Sequence, residues 1–244
     1  MKTVTVIGSG NAFNTDGRAH PCFLIESAGG ERLLLDVGAT TLQRLRQDGL
    51  ALDTIDAAAL THFHGDHFFG LPFLLLAMNF ESGRTRPFTV VGPSGVEGVC
   101  RAAMELAYPD IEYGFDVVFL EIESSPVGIG GLTIAPLPVT HRRESVGYRV
   151  TGPSGKTVAF SGDAAFDDKL LRLIDGVDLA IVELGLLEQS EPPISHVSVG
   201  ELERARGSLR ADRILFTHLT DEIARRIEES RLGIAARDGM VVEV

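Results

Sequence analysis

One seven-residue stretch, THFHGDH, carries four side chains able to bind a metal: His62, His64, Asp66 and His67. Imidazole nitrogen and carboxylate oxygen together suit Zn²⁺, and also Fe²⁺ or Mn²⁺. A single histidine beside an apolar strand is usually a core residue, and an isolated HxH pair arises by chance. Four ligand-type residues within six positions at a strand end need another explanation. Residues 55–60 (IDAAAL) read as a buried strand entering this stretch, and Phe68 to Met78 (FFGLPFLLLAM) is apolar enough to predict a buried helix leaving it. Positions 62 and 64, two apart in extended chain, point the same way. Gly65 permits a bend, so that Asp66 and His67 reach the same cavity from another side.

Three further strand ends carry ligand-type residues. PVTH places His141 after the strand LTIAPL, AFSGDA places Asp163 after TVAF, and ILFTHLT places His218 after RILF. An Asp after Gly is by itself ordinary turn chemistry. Three polar residues each emerging from an apolar strand end are what a shared cavity requires. His196 lies in HVSVGE, among Pro193, Ser195 and Ser198, where a turn residue before a helix is the plain alternative to a chemical role. Asp36, ending the strand LLLDVG, is the candidate partner for fixing an imidazole tautomer. His20, in an alternating strand pattern, is read as structural.

The elements that must hold these residues follow from periodicity. Strands are expected at residues 2–8, 20–26 and 31–37, the last two joined by a turn at Gly29-Gly30. A helix over 40–48 and a strand over 88–91 follow, then a helix opened by Pro93-Ser94 and reaching Ala107. Strands over 116–122, 132–138, 146–150 and 157–160 come next, the last pair joined by a hairpin at Gly152–Gly155. Residues 167–174, 199–208 and 221–229 read as helices, 179–182 as a buried strand, 213–216 as a strand, and the terminal DGMVVEV as an edge strand. No linker or low-complexity segment divides the chain, so one α/β domain over residues 1–244 is expected, with two sheets face to face and helices outside. The segment GSGNAF lacks the third glycine and the following helix of a dinucleotide site.

Composition narrows the function. With 44% hydrophobic and 23% charged residues the chain reads as an ordinary soluble globular protein. No apolar run approaches the roughly 18 residues of a membrane span, and the N-terminus shows no signal-peptide pattern, so a cytoplasmic location is expected. Cys22 and Cys100 lack CxxC spacing, which argues against a disulfide scaffold or a thiolate zinc site. The formal net charge is −12. The arginine groups are short (Arg84 and Arg86; Arg142 and Arg143), and the series Arg204, Arg206, Arg210, Arg213 is interleaved with Glu201, Glu203 and Asp212. A long nucleic acid is therefore disfavoured as partner.

Taken in order, His62, His64, Asp66, His67, His141, Asp163 and His218 resemble the ligand set of the metallo-β-lactamase superfamily of two-metal hydrolases, with its HxHxDH signature. The resemblance spans nearly the whole chain. It implies a four-layer αββα sandwich that binds two divalent ions, Zn²⁺ first, with Mn²⁺ and Fe²⁺ as alternatives. One ion would take His62, His64 and His141, the other Asp66, His67 and His218, with Asp163 bridging. VTHRRESVGYRV, SGDA, HVSVGE and THLT resemble the RNase Z branch and its small phosphodiesterase relatives. That likeness implies catalytic roles for Asp66, which would orient the attacking water, and for His196 as general acid supported by Glu183. RNase Z enzymes usually carry His-Glu-Ala-Thr where this chain has Val182-Glu183-Leu184-Gly185, so the glutamate carries over and the histidine does not. Their long tRNA-clasping arm lies between the third histidine motif and the bridging aspartate, where only 22 positions separate His141 from Asp163 here.

The expected activity is cleavage of small phosphodiesters or short nucleic acids. Lactone or thioester hydrolysis and true tRNA 3′ processing stand as alternatives, and a non-catalytic metal-binding protein comes last. A glyoxalase II-like enzyme would add a helical C-terminal substrate domain, and zinc β-lactamases lack the histidine directly after the aspartate. The partner expected is a small phosphodiester, with no membrane; a homodimer stays open.

Overall fold

The computed structural model describes all 244 residues as fourteen strands and seven α-helices. The first half supplies β1 (Thr3–Gly8), β2 (Cys22–Glu26), β3 (Arg32–Leu35), β4 (Ala57–Ala59), β5 (Phe88–Gly92) and β6 (Val117–Glu121). The second half supplies β7 (Val127–Ile129), β8 (Leu132–Pro138), β9 (Val146–Thr151), β10 (Thr157–Phe160), β11 (Leu179–Glu183), β12 (Ile214–Thr217) and β13 (Ile234–Ala235), and the chain ends in β14 (Val241–Glu243). Helices α1 (Thr41–Gln47), α2 (Gly65–Phe68), α3 (Leu71–Phe80) and α4 (Val96–Ala107) belong to the first half. Helices α5 (Asp168–Ile174), α6 (Val199–Arg204) and α7 (Asp221–Ser230) belong to the second.

Each sheet has seven strands, in the orders β14-β1-β2-β3-β4-β5-β6 and β13-β12-β11-β10-β9-β8-β7. Both are half antiparallel and half parallel: β3 to β6 run parallel in one, β10 to β13 in the other. A parallel stretch must be covered on both faces, and the residues alternate accordingly. Phe23, Ile25, Ala57 and Ala59 face the second sheet, meeting Tyr148, Val150, Phe160 and Ile181. Leu24, Leu34 and Ala58 face outward, under Leu45 of α1, Leu71 and Leu75 of α3 and Cys100 of α4. On the far side Val182 and Phe216 pack under Leu170 of α5, Leu202 of α6 and Ile223 of α7. The result is the four-layer αββα sandwich expected from sequence. No helix is long and apolar enough to cross a membrane.

Four local expectations need correction. The single apolar helix over Phe68–Met78 is two: α2 starts at Gly65, and the chain breaks before α3, because the Gly70 amide donates to Val37 O (2.9 Å) and Pro72 opens a new first turn. Helix α4 starts only at Val96, since Gly95 takes φ 90° and leaves Pro93 in the turn before it. The helix expected to Ser208 ends at Arg204, and Arg206–Ser208 tightens into a 3₁₀ turn at Gly207. Strands β7 and β13, of three and two residues, are too short for an alternation signal to show. DGMVVEV does form an edge strand, β14 beside β1.

Candidate metal centre

The parallel halves of both sheets end at the same edge of the sandwich, and every candidate ligand leaves the carboxyl end of a strand there. His62 and His64 follow β4, with Asp66 and His67 in the first turn of α2. His141 follows β8, Asp163 follows β10, and His218 follows β12 directly. Two inter-sheet bonds fix the first stretch against the second sheet: the buried Tyr148 hydroxyl of β9 donates to Leu60 O (2.6 Å), and the Val146 amide of β9 donates to Thr61 O (3.1 Å). Gly162, at φ 55°, lets the Asp163 loop close onto Thr61, where a Cβ would lie 2.6 Å from the Thr61 hydroxyl.

All seven side chains meet in two groups that share one member. His62, His64, His141 and Asp163 offer ligand atoms within 4.8 Å of one another, and so do Asp66, His67, Asp163 and His218. The two oxygens of Asp163 divide between them. Oδ2 lies 3.9 Å from His62 Nε2 and 3.7 Å from His141 Nε2, while Oδ1 lies 3.2 Å from His67 Nε2 and 3.5 Å from His218 Nε2. His64 Nδ1 stands 3.2 Å from His141 Nε2, and Asp66 Oδ2 stands 3.3 Å from His67 Nε2.

Hydrogen bonds behind the cluster decide which ring nitrogen points inward. His67 Nδ1 donates to Asp36 Oδ2 (2.7 Å), leaving Nε2 on the cavity side. The Thr61 hydroxyl donates to the same Asp36 oxygen (2.9 Å) and accepts from His62 Nδ1 (3.0 Å). His141 Nδ1 donates to Ser195 O (3.0 Å). Asp36 thus holds one histidine of each group, and takes φ 58° to do so; His218 sits at φ 63°. Left-handed backbone at such residues is uncommon and costs of order 1 kcal/mol or more, a strain that gathers at functional sites.

The donor set fits a cation. His62 Nε2, His67 Nε2, His218 Nε2, Asp66 Oδ2 and Asp163 Oδ1 are buried and have no hydrogen-bond partner. Each orphaned buried polar group costs about 1–3 kcal/mol, and five converging on one space are what divalent ions would satisfy. Protonation follows the same geometry. Burial and the neighbouring His67 push His62 down to about 2, and burial likewise lowers His64 and His141. Burial also opposes charge on His67 and His218, but Asp163 together with Asp36 for the first, and with Asp66 for the second, outweighs it and raises both.

The third cluster is Glu183, His196 and His218. Glu183, the last residue of β11, is buried and accepts from the amides of Ala164 (3.2 Å) and Gly185 (3.0 Å) and from His196 Nδ1 (2.7 Å). Burial disfavours charge on His196, yet the Glu183 carboxylate raises it to about 9. Its ring stacks on His218 at 5.4 Å and is partly open to solvent. His196 therefore stands beside the cluster with one nitrogen committed to a carboxylate. Sequence reasoning missed the Thr61 hydroxyl, the Ser195 carbonyl and the Tyr148 hydroxyl, since nothing in residue type separates them from ordinary strand-end groups.

Comparison with known proteins agrees with this fold. A family model described as a β-lactamase superfamily domain matches residues 31–219. The uncharacterized protein Rv1339 of Mycobacterium tuberculosis is 30% identical over 223 residues, covering 88% of this chain and 80% of that one. A ribonuclease Z of Staphylococcus epidermidis is 32% identical over 121 residues, but covers only 49% of this chain and 39% of its own length. Among solved structures, the metallo-β-lactamase fold protein YhfI from Bacillus subtilis superposes over 100% of both chains with a TM-score of 0.81 at 24% identity.

Proposed function

The chain belongs to the β-lactamase superfamily, with the metallo-β-lactamase fold, and on that premise we propose that it is a two-metal hydrolase of phosphodiester bonds in small molecules or short nucleic acids. His62, His64 and His141 would hold one cation and Asp66, His67 and His218 the other, with Asp163 shared. Two divalent ions held there, Zn²⁺ or in its place Mn²⁺ or Fe²⁺, would lower the pKa of a water nucleophile to about 7 and neutralise charge on phosphoryl oxygens. Asp66 orients the attacking water through its carboxylate. His196, held by Glu183 at 2.7 Å, carries on its other nitrogen the proton that the departing alkoxide needs.

The His196–Glu183 pair supports the alkoxide-releasing part of this proposal, which sets thioesters aside but which lactones share. An alkoxide is a poor leaving group and gains from a held proton donor, whereas a thiolate departs without one. The match to a protein named ribonuclease Z supports phosphodiester chemistry. Substrate size is argued from the fold: only β9, β10 and their hairpin lie between His141 and Asp163, where a tRNA-clasping arm would have to be inserted. The net charge of −12 also forfeits most of the counterion release that drives RNA binding. A panel of bis-p-nitrophenyl phosphate, cyclic nucleotides, lactones and a pre-tRNA tests both points. Turnover of the small phosphodiesters is expected; hydrolysis of lactones alone would refute the chemistry, and efficient, salt-sensitive 3′ cleavage of the pre-tRNA would refute the size limit.

A further inference from the structure

The segment that leads to His196 has little of its own to hold it. From Leu187 to Ile194 every residue is exposed except Gln189, so no apolar core fixes the chain there, and ordering it costs conformational entropy that other contacts must offset. The two ends of the excursion are tied at a neck. The Leu186 amide donates to Val197 O (3.2 Å), the Val199 amide to Leu186 O (2.9 Å) and the Gly200 amide to Leu187 O (3.1 Å). Those bonds close the neck but leave the chain between Leu187 and His196 to be held by something else.

The Gln189 side chain spans that gap. Its Oε1 accepts from the amides of Ser190 (3.2 Å) and Ile194 (3.1 Å), and its Nε2 donates to His196 O (2.9 Å) and Glu201 Oε2 (3.4 Å). Two N–H groups on one side, with a carbonyl and a carboxylate on the other, admit only one orientation of the amide. The Glu201 oxygen is itself fixed, since it also accepts from the Ser198 amide (3.0 Å) and hydroxyl (2.7 Å) at the start of α6. Gln189 therefore grips the amide of Ile194 and the carbonyl of His196, and so brackets Ser195 from both sides. Those bracketed residues are the ones that reach the cluster. Ser195 O accepts from His141 Nδ1 (3.0 Å), and His196 Nδ1 donates to Glu183 Oε1 (2.7 Å).

We propose that Gln189 is a positioning residue that sets two groups of the site at once, the Ser195 carbonyl that orients His141 and the His196 ring that holds the proton for the leaving group. None of its hydrogen bonds goes to a ligand side chain; it acts through the backbone of residues 194–196. The proton donor and the His62–His64–His141 group are coupled through this one amide. The part concerning His196 rests on the phosphodiesterase reading, whereas the part concerning His141 does not.

The test uses Gln189→Ala, which removes the amide, and Gln189→Glu, which keeps its length but turns an oxygen toward the His196 carbonyl and the Glu201 carboxylate. Both should fold, because the loop buries no core. At saturating metal, both should lose about tenfold more kcat on the best alkoxide-releasing diester of the panel above than on bis-p-nitrophenyl phosphate. Titrated stepwise with Zn²⁺, both should show one binding constant weakened about tenfold and the other at the wild-type level. In metal-free protein the Ile194 amide, stripped of its acceptor in Gln189→Ala, should exchange with solvent about tenfold faster or more. A mere staple for the loop would speed that exchange and move neither the leaving-group ratio nor the metal constants. The absence of either shift, or equal weakening of both constants, would overturn the coupling. If wild-type protein turns over no diester of the panel, the phosphodiesterase reading has failed and the titration decides alone. One weakened constant then upholds the role at His141, and two unchanged constants overturn it.

Discussion

The two halves of the cluster share Asp163 but solve opposite electrostatic problems. Around His62, His64 and His141 the groups are imidazoles with a single carboxylate oxygen among them, and burial holds all three rings neutral, His62 down to about 2. Around His67 and His218 lie Asp36, Asp66, Asp163 and Glu183, and there the carboxylates overcome burial and raise both histidines. The carboxylates of the second half favour protons on its imidazoles, whereas burial disfavours them in the first. The first half is thus preorganised for a neutral-nitrogen ligand set, and the second must exchange protons for metal. Metal affinity in the second half should depend more steeply on pH than in the first.

The comparison breaks most completely at the shared residue. Asp163→Ala removes the oxygen facing each half, and should lower activity on the order of 10³-fold or more while the thermal transition of the metal-free protein persists. Near wild-type turnover with both metals bound would show that the carboxylate does not join the halves.

A somewhat smaller, substrate-dependent loss is expected at His196. His196→Ala should leave metal content unchanged and cost about 10²–10⁴-fold on an alkyl phosphodiester, with little effect when p-nitrophenolate departs unaided. The pH profile follows from the sign of the shift: Glu183 raises His196 to about 9, so the proton is present at neutral pH and is lost as pH rises through that value. Two bound cations would draw it lower, so the basic limb for the alkyl substrate falls at or below pH ~9, and is missing in the variant. Equal losses on both leaving groups would point to positioning instead.

The halves can also be separated from behind. Asp36→Asn disturbs His67 directly and His62 through Thr61, so affinity at both metals should fall by about 10–100-fold. Thr61→Val leaves the Asp36–His67 bond (2.7 Å) in place and should weaken only the His62 half, by about tenfold. Stepwise metal titration reads the two constants. The smallest effect is expected at Tyr148→Phe, which leaves the buried Leu60 carbonyl without its donor. It should cost about 1–3 kcal/mol of stability in denaturant unfolding, with metal binding retained.

Much of this was legible in sequence, for a physical reason: ligands at strand ends come paired with strongly apolar strands, so LTIAPL, TVAF and RILF mark both the sheet and the place where the polar residue must emerge. Asp36 was legible on the same ground. What sequence could not show depends on long-range approach. That Thr61 links His62 to Asp36 and that Ser195 O orients His141 are consequences of how loops from both sheets close on one edge. The break at Gly70 was signalled by Gly70 and Pro72, but the apolar residues on both sides of them read as one helix.

The most direct test of the central claim is the metal stoichiometry of the purified protein, by elemental analysis, measured alongside turnover of bis-p-nitrophenyl phosphate before and after chelation. Two first-row transition metal ions per chain, with activity lost on their removal and restored on their return, is the predicted result. Full activity in protein that contains no metal would contradict it.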